Sequence, residues 1–263
     1  MLLAQYAALL KQKNRRSRLG IASLQKRLLS SIEAFARTLA VHAKSVGERT
    51  DQAVASPSSP DDDEYGEDET TSDERSDSQM TLLSVGLAAP STDARSLLER
   101  MTSLAEQSRR APGPKVLALI DWIRRNQCKA VQLGGATPTR SPATWKDRRL
   151  IVFTEYADTK RYLAAILRAA FDGTADGELR LMEFHGGMSD RQREEVQRAF
   201  NGPPAQYPVR ILLATDAARE GVNHQGYCAG IFHFDVPWNP ARLEQRNGRV
   251  DRTLQREKEV RCR

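Results

Sequence analysis

The chain has 263 residues with 40 basic and 34 acidic side chains, a net charge of +6, and 40% hydrophobic residues. That length holds one or two domains with ample core. No apolar run approaches the ~20 residues of a membrane span, Met1–Tyr6 lacks the basic flank and cleavage site of a secretory signal, and Cys128, Cys228 and Cys262 are too few and too scattered for a disulfide framework or a zinc site. A reducing cytoplasm is the expected compartment.

Residues 1–47 read as a basic amphipathic helical segment, with Leu24, Leu28, Ile32, Phe35 and Leu39 recurring at three- and four-residue spacing. Arg15, Arg16, Arg18, Lys26, Arg27 and Arg37 lie between them. Either the basic face touches DNA or a partner, or the Leu face packs on a core elsewhere. Residues 48–79 are rich in Ser, Pro, Asp and Glu and nearly devoid of large apolar side chains. Such a stretch buries too little to offset its ordering entropy and is expected to be an acidic disordered linker. Its Asp61-Asp62-Asp63-Glu64 run lacks the apolar strand that would hold a magnesium-binding box rigid, so no metal site is assigned. Between Asp51 and Asp77 there are eleven acidic residues against Arg75. The rest of the chain carries 39 basic and 23 acidic residues, a surplus of 16, which points to a polyanionic partner, nucleic acid first.

From residue 80 to 263 a globular domain is expected, with its core at 110–260. Leu82–Leu104 is ambiguous between helix and loop. Lys115–Asn126 is a helix started by Pro114, with Val116, Leu119, Ile120 and Ile123 on one side. Gly134–Asp147 reads as loop. Strands at Leu150–Thr154, Leu179–Phe184, Val209–Ala214 and Gly230–Phe234 then alternate with helices at Thr159–Phe171, Asp190–Phe200 and Pro240–Asp251. Strands and helices alternating at this spacing predict a parallel sheet covered on both faces.

In such a sheet ligands bind beyond the carboxyl ends of the strands, and the polar residues gather there. His185-Gly186-Gly187-Met188-Ser189 precedes a helix on which Ser189 and Gln192 predict a capping box. The two glycines either form a tight turn or leave backbone N–H groups open to a phosphate. The densely polar Ala214–Asn223 follows the third strand. After the fourth come Trp238, read as packing rather than base stacking, Asn239 as an N-cap, and Pro240 in the first turn of the last helix. That helix carries Gln245-Arg246-Asn247-Gly248-Arg249-Val250-Asp251-Arg252. Arg249 and Arg252, three apart, could point from one helix face at a single anion, or line a solvated face. Gly248 would let another backbone or a nucleotide approach.

The blocks Leu150–Tyr156, Phe184–Ser189, Ala214–Asn223 and Gln245–Arg252 resemble, in order and spacing, motifs IV, IVa, V and VI of superfamily-two helicases. "ATDAAREGVNHQ" and "DVPWNPARLEQRNGRVDR" are most similar to the Swi/Snf branch, particularly its bacterial members. Residues 24–39 also resemble the helix that precedes this lobe in such proteins. The resemblance implies a RecA-like α/β lobe, and a bacterial cytoplasmic setting. Arg249 and Arg252 would be arginine fingers toward the γ-phosphate of ATP held with Mg²⁺ mainly by a first RecA-like lobe. Gln245 would orient them, with Gly221 and Asn223 near the nucleotide sugar. Thr215 and Asp216 would link that site to the nucleic acid, Asp216 on the nucleotide side. Thr154, His185, Gly186 and Thr215 would meet the backbone of DNA, duplex in the Swi/Snf branch, with RNA also open. Arg219 departs from the small residue of many relatives, leaving a phosphate contact and a pair with Glu220 equally open. Neither a Gly-x-x-x-x-Gly-Lys-Ser/Thr loop nor a magnesium-binding acidic pair occurs in the 263 residues. The chain is therefore expected to be one lobe of a translocase, a fragment or half of a split enzyme lacking its final elements, and inactive on ATP by itself. The alternative is a non-catalytic nucleic-acid-binding or regulatory module. Glu259–Cys262 reads as the start of a further strand.

Overall fold

A computed structural model of the chain describes residues 1–10, 15–47, 78–84, 91–109, 111–134, 143–216, 227–250 and 260–263. Most of the expected acidic linker, together with Gly221, Asn223, Arg219 and Arg252, lies outside the described residues. The chain divides into two compact units with the boundary between Pro112 and Gly113, later than the residue-80 boundary expected from composition.

The first unit is helical: α1 (Leu2–Leu9), α2 (Arg15–Ser30), α3 (Ile32–Gly47), a helical stretch at residues 78–84, and α4 (Thr92–Ser108). Tyr6, Leu24, Phe35, Leu39, Met80, Leu98 and Met101 share one core, which is why the helices at residues 78–84 and Thr92–Ser108 belong with this unit. The expected leucine face is interrupted. Ser31 ends α2 and accepts a bond from the Ala34 N–H at 3.1 Å, so α3 starts in a new phase. Leu24, Phe35 and Leu39 stay buried while Leu28 turns out to solvent, 43% exposed. Basic side chains on α2 do not all face outward either, because Arg27 is buried.

Inside this unit three buried side chains form a chain of short bonds. The Tyr6 hydroxyl lies 2.7 Å from His42 Nε2, His42 Nδ1 lies 2.7 Å from Ser84 Oγ, and Ser84 Oγ donates to the Met80 carbonyl at 2.6 Å. Since the Ser84 proton is spent on Met80, His42 must donate from Nδ1 and accept the Tyr6 proton at Nε2. Burial lowers the His42 pKa to about 4 and raises that of Tyr6 to about 12.

The second unit is α/β. After α5 (Pro114–Asn126) come β1 (Arg149–Thr154), α6 (Ala157–Phe171), a 3₁₀ turn at Gly177–Leu179, β2 (Leu181–Phe184), α7 (Asp190–Asn201), β3 (Ile211–Thr215), β4 (Cys228–His233), α8 (Pro240–Asn247) and β5 (Arg261–Cys262). All strands pair in parallel, in the order β2-β3-β1-β4-β5. Alternation along β1 explains the two covered faces. Leu150 and Val152 pack with Leu119 and Ile123 of α5 and Leu163 and Leu167 of α6, while Ile151 and Phe153 pack with Val196 and Phe200 of α7. The expected strand near Glu259 is present as β5, pairing Arg261 with Gly230 and Cys262 with Ile231.

Two local expectations shift, at Leu179 and at the end of the last helix, and the expected loop before β1 holds a buried side chain. Leu179 belongs to the 3₁₀ turn and is exposed, so the second strand starts at Leu181. Trp145, in the stretch read as loop, is buried edge-on against Phe171 and donates from Nε1 to Thr174 Oγ1 at 3.1 Å. The last helix ends at Asn247, not Asp251, with Gly248 as its C-cap. Among the described residues no helix is long and apolar enough to cross a membrane.

Candidate functional site at the carboxyl edge of the sheet

The strand registers set the edge. Thr154 at the end of β1 stands beside Thr215 at the end of β3, Phe184 of β2 beside Ala214, and Phe153 beside His233 of β4. Across this edge α8 delivers its side chains. Pro240 fits its first turn and Asn239 caps it, the Asn239 Oδ1 accepting from the Ala241 N–H at 3.0 Å. Phe153, Thr215, Asp216, Arg242, Gln245, Arg246 and Arg249 line one hollow of about 10 Å³, room for about one water.

Its inner wall is an ion pair absent from the sequence reading. Arg246 is 2% exposed. It grips Asp216 with two donors, Nε to Oδ1 at 2.6 Å and Nη2 to Oδ2 at 2.8 Å. Nη1 donates to the Asp235 carbonyl at 2.6 Å, and the guanidinium lies 5.5 Å from the centre of the Phe153 ring. Burial pulls the Arg246 pKa down, but the bonds to Asp216 and the charges of Asp216 and Asp235 outweigh it, leaving the group above its ordinary value.

Asp235 is the second unpredicted member. Its Oδ2 accepts the Thr154 hydroxyl at 2.7 Å and its Oδ1 the Glu155 N–H at 2.8 Å. Thr154 is fully buried, so in this arrangement its hydroxyl faces Asp235 rather than a nucleic-acid strand. Lys115 on α5 donates to the Phe234 carbonyl at 2.8 Å, and burial lowers its pKa against the opposing pull of Asp235. His233 Nε2 meets Asn247 Oδ1 at 2.9 Å, and its pKa is lowered by burial and by Arg246 against the pull of Asn247, Asp216 and Asp235.

The other expected residues fall as follows. Thr215, Asp216, Gln245 and Arg249 meet at the hollow. Arg249 sits in the turn after α8, its N–H bonded to the Arg246 carbonyl at 3.3 Å; the expected shared face with Arg252 lies outside the described residues. Gly248 has a helical backbone, and a Cβ there would meet only carbonyls of its own helix, Glu244 at 3.3 Å and Gln245 at 3.9 Å. His185 and Gly186 follow β2 on the same edge of the sheet. Gly186 is buried and its carbonyl accepts from Arg193 Nη2 at 2.6 Å. The predicted capping box is present, with Gln192 N–H to Ser189 Oγ at 3.4 Å and Ser189 N–H to Gln192 Oε1 at 2.9 Å. It therefore uses two of the N–H groups that a phosphate would otherwise find. Trp238 does not pack inward: it is 66% exposed, beside Val236 at 64%, because the chain leaves the sheet at Asp235 before Asn239 starts α8.

The donors around the hollow are of the kind that bind phosphate, although the hollow as it stands has room for only about one water. Arg242, Gln245, Arg249 and Thr215 bring two guanidinium groups, a carboxamide and a hydroxyl to one spot. It does not fit a divalent cation, because both carboxylates, Asp216 and Asp235, are occupied by Arg246. Among the described residues no group of three or more metal-ligating side chains forms.

A parallel sheet with phosphate-type donors gathered on its carboxyl edge is the architecture of a RecA-like lobe, and residues 143–253 match the family model described as helicase conserved C-terminal domain. This segment is similar to the helicase C-terminal domain of superfamily-two, Swi/Snf-type proteins. The chain is 35% identical over 114 residues to the uncharacterized ATP-dependent helicase YqhH of Bacillus subtilis, covering 43% of this chain and 18% of that protein. It is 30% identical over 109 residues to the RNA polymerase-associated protein RapA of Pectobacterium atrosepticum, covering 41% of this chain and 10% of RapA. It thus spans under a fifth of the length of these relatives. A solved structure, the C-terminal part of the Fun30 ATPase domain, is similar with a TM-score of 0.47 and 12% identity, covering 99% of this chain and 77% of that one.

Proposed function

We propose that this lobe works as the second half of an ATP-dependent DNA translocase, closing on ATP and Mg²⁺ held by a first RecA-like lobe. The convergence of Thr215, Gln245 and Arg249 on one hollow at the carboxyl edge supports this reading most directly. Arg249 and Arg252 act as arginine fingers that neutralise charge on the transferring phosphoryl group. Gln245 orients them, and Gly221, Asn223 and Asp216 shape the nucleotide side. Thr215, His185 and Gly186 hold the DNA backbone, contacts that position a strand without reading its sequence. The Mg²⁺ ligands come from the first lobe, in keeping with the occupied carboxylates here. The bound ion would offset phosphate charge. The setting is the cytoplasm of a bacterium, and the chain by itself does not hydrolyse ATP.

Mixing the chain with a first lobe that carries a Gly-Lys-Ser/Thr phosphate loop is expected to give DNA-stimulated ATP hydrolysis. Arg249→Ala or Arg252→Ala in that mixture is expected to lower the rate by about a thousandfold or more; wild-type rates in both variants would remove the finger assignment. The basic surplus outside the acidic tract favours a second reading, a nucleic-acid-binding module without catalysis. That reading requires salt-sensitive binding of duplex DNA by the chain alone, with no hydrolysis upon mixing.

A further inference from the structure

Asp235 joins three elements that the functional reading treats separately. One carboxylate oxygen takes the Thr154 hydroxyl at the end of β1, and the other takes the Glu155 N–H in the loop leading to α6. The same residue's carbonyl and Oδ1 receive Arg246 of α8 at 2.6 and 3.4 Å. Arg246 reaches on to Asp216 at the end of β3, and Glu155 pairs with Arg242 of α8 at 3.7 Å. Lys115 pins the adjoining Phe234 carbonyl. A shift of the β1–α6 loop therefore changes how Asp235 holds Arg246, and Arg246 shares the wall of the hollow with Arg249, whose N–H bonds its carbonyl.

We propose that Asp235 is a positioning residue that couples the nucleic-acid side of this edge, where Thr154 at the end of β1 stands beside Thr215, to the nucleotide side at Arg249. The inference rests on the translocase reading above. It assigns Asp235 no contact with ATP or DNA; the carboxylate acts by fixing Thr154, Glu155 and Arg246 relative to one another. One buried and one part-buried bond into one carboxylate and a guanidinium shared with a second carboxylate give a network whose members cannot move singly without leaving a polar group unpaired.

The test is the ratio of ATP hydrolysis with and without a linear DNA duplex, in the mixture of the full chain with a first lobe. Asp235→Asn keeps the shape and removes the charge; Thr154→Val removes one donor and keeps the buried volume. Each is expected to reduce the DNA stimulation ratio by about three- to thirtyfold, with the double variant no worse than the stronger single one. Loss of fold alone would scale stimulated and unstimulated rates together and leave the ratio intact. If either folded variant keeps the wild-type ratio, Asp235 is not the coupling group, and Thr154→Val decides the matter if Asp235→Asn does not fold. If the wild-type mixture shows no stimulation at all, the translocase reading falls and this inference with it.

Discussion

Arg246 and Asp216 face each other as fork to fork, two nearly parallel bonds of 2.6 and 2.8 Å with both residues buried. The pair fastens α8 to the end of β3. It also decides which arginines of the last helix remain for other work, since Arg246 is committed to the interior.

Removing one member should leave the other charge buried and unpaired. Asp216→Ala is expected to destabilise the α/β unit by about 3–5 kcal/mol, read as a shift of its urea unfolding midpoint. Replacing both with apolar side chains, Arg246→Met with Asp216→Leu, should recover most of that loss. A single variant within about 1 kcal/mol of wild type would mean the pair contributes little.

Stability should fall with acid because of His42. Its pKa in the fold is about 4, below the ordinary value near 6.5, so the unfolded chain takes up the proton first. The stabilisation is complete above about pH 6.5 and is lost progressively as pH falls toward 4. Its ceiling is about 3 kcal/mol. His42→Leu removes this dependence, so the gap between wild-type and variant melting temperatures should narrow from pH 7 to pH 4.5. A gap independent of pH would refute the assignment.

Two glycines should respond with opposite signs. A Cβ at Gly177 would lie 2.2 Å from the Phe171 carbonyl oxygen and 3.0 Å from Thr174 Oγ1, so Gly177→Ala is expected to cost about 1–3 kcal/mol. Gly20 lies within α2, where a Cβ would meet only the Leu83 Cβ at 3.7 Å. Gly20→Ala should stabilise by about 0.5–1 kcal/mol. Chemical denaturation of each variant checks both.

The thiols should react in a fixed order. Cys128 and Cys228 are buried, and burial raises the Cys228 pKa to about 12. Cys262 on β5 is exposed. A chromogenic disulfide reagent is expected to label one thiol per native chain quickly and all three only after denaturation. Rapid labelling of Cys228 in the native protein would show that β4 opens readily.

The sheet was readable because burial on both faces demands unbroken apolar strands, as at Leu150–Phe153, and because α5 shows its stripe of Val116, Leu119, Ile120 and Ile123 so clearly. The capping residues Ser189 and Asn239 were readable from local chemistry alone. The unit boundary was not, because the packing of Met80, Leu98 and Met101 with the first helices depends on contacts across a long interval of sequence. Leu28 misled because helical spacing was carried across Ser31, where one helix ends and another begins.

Within the site, Thr215, Gln245 and Arg249 stood out as polar groups at a strand edge, whereas Arg246 was hidden among more conspicuous arginines. A signal existed. Arg246 lies three residues after Leu243 and four before Val250, the helical spacing of an inward-facing position. A guanidinium there needs a buried carboxylate, and Asp216 and Asp235 end the neighbouring strands. Asp235 itself carried no such pattern, since its partners are a hydroxyl and an N–H more than seventy residues away.

At the opposite edge, Arg149 donates to the Val209 carbonyl, Arg180 to those of Ala175 and Pro208, and Arg210 to those of Lys146 and Tyr207. With Arg27, Lys160 and Arg246, six Arg and Lys side chains are buried among the described residues, against three acidic ones at Asp158, Asp216 and Asp235. For the nucleic-acid partner proposed above, counterions would therefore be displaced at fewer sites than the sequence total implies. The number of phosphates it meets should be reckoned from solvent-facing cations, and a salt titration would measure that smaller number.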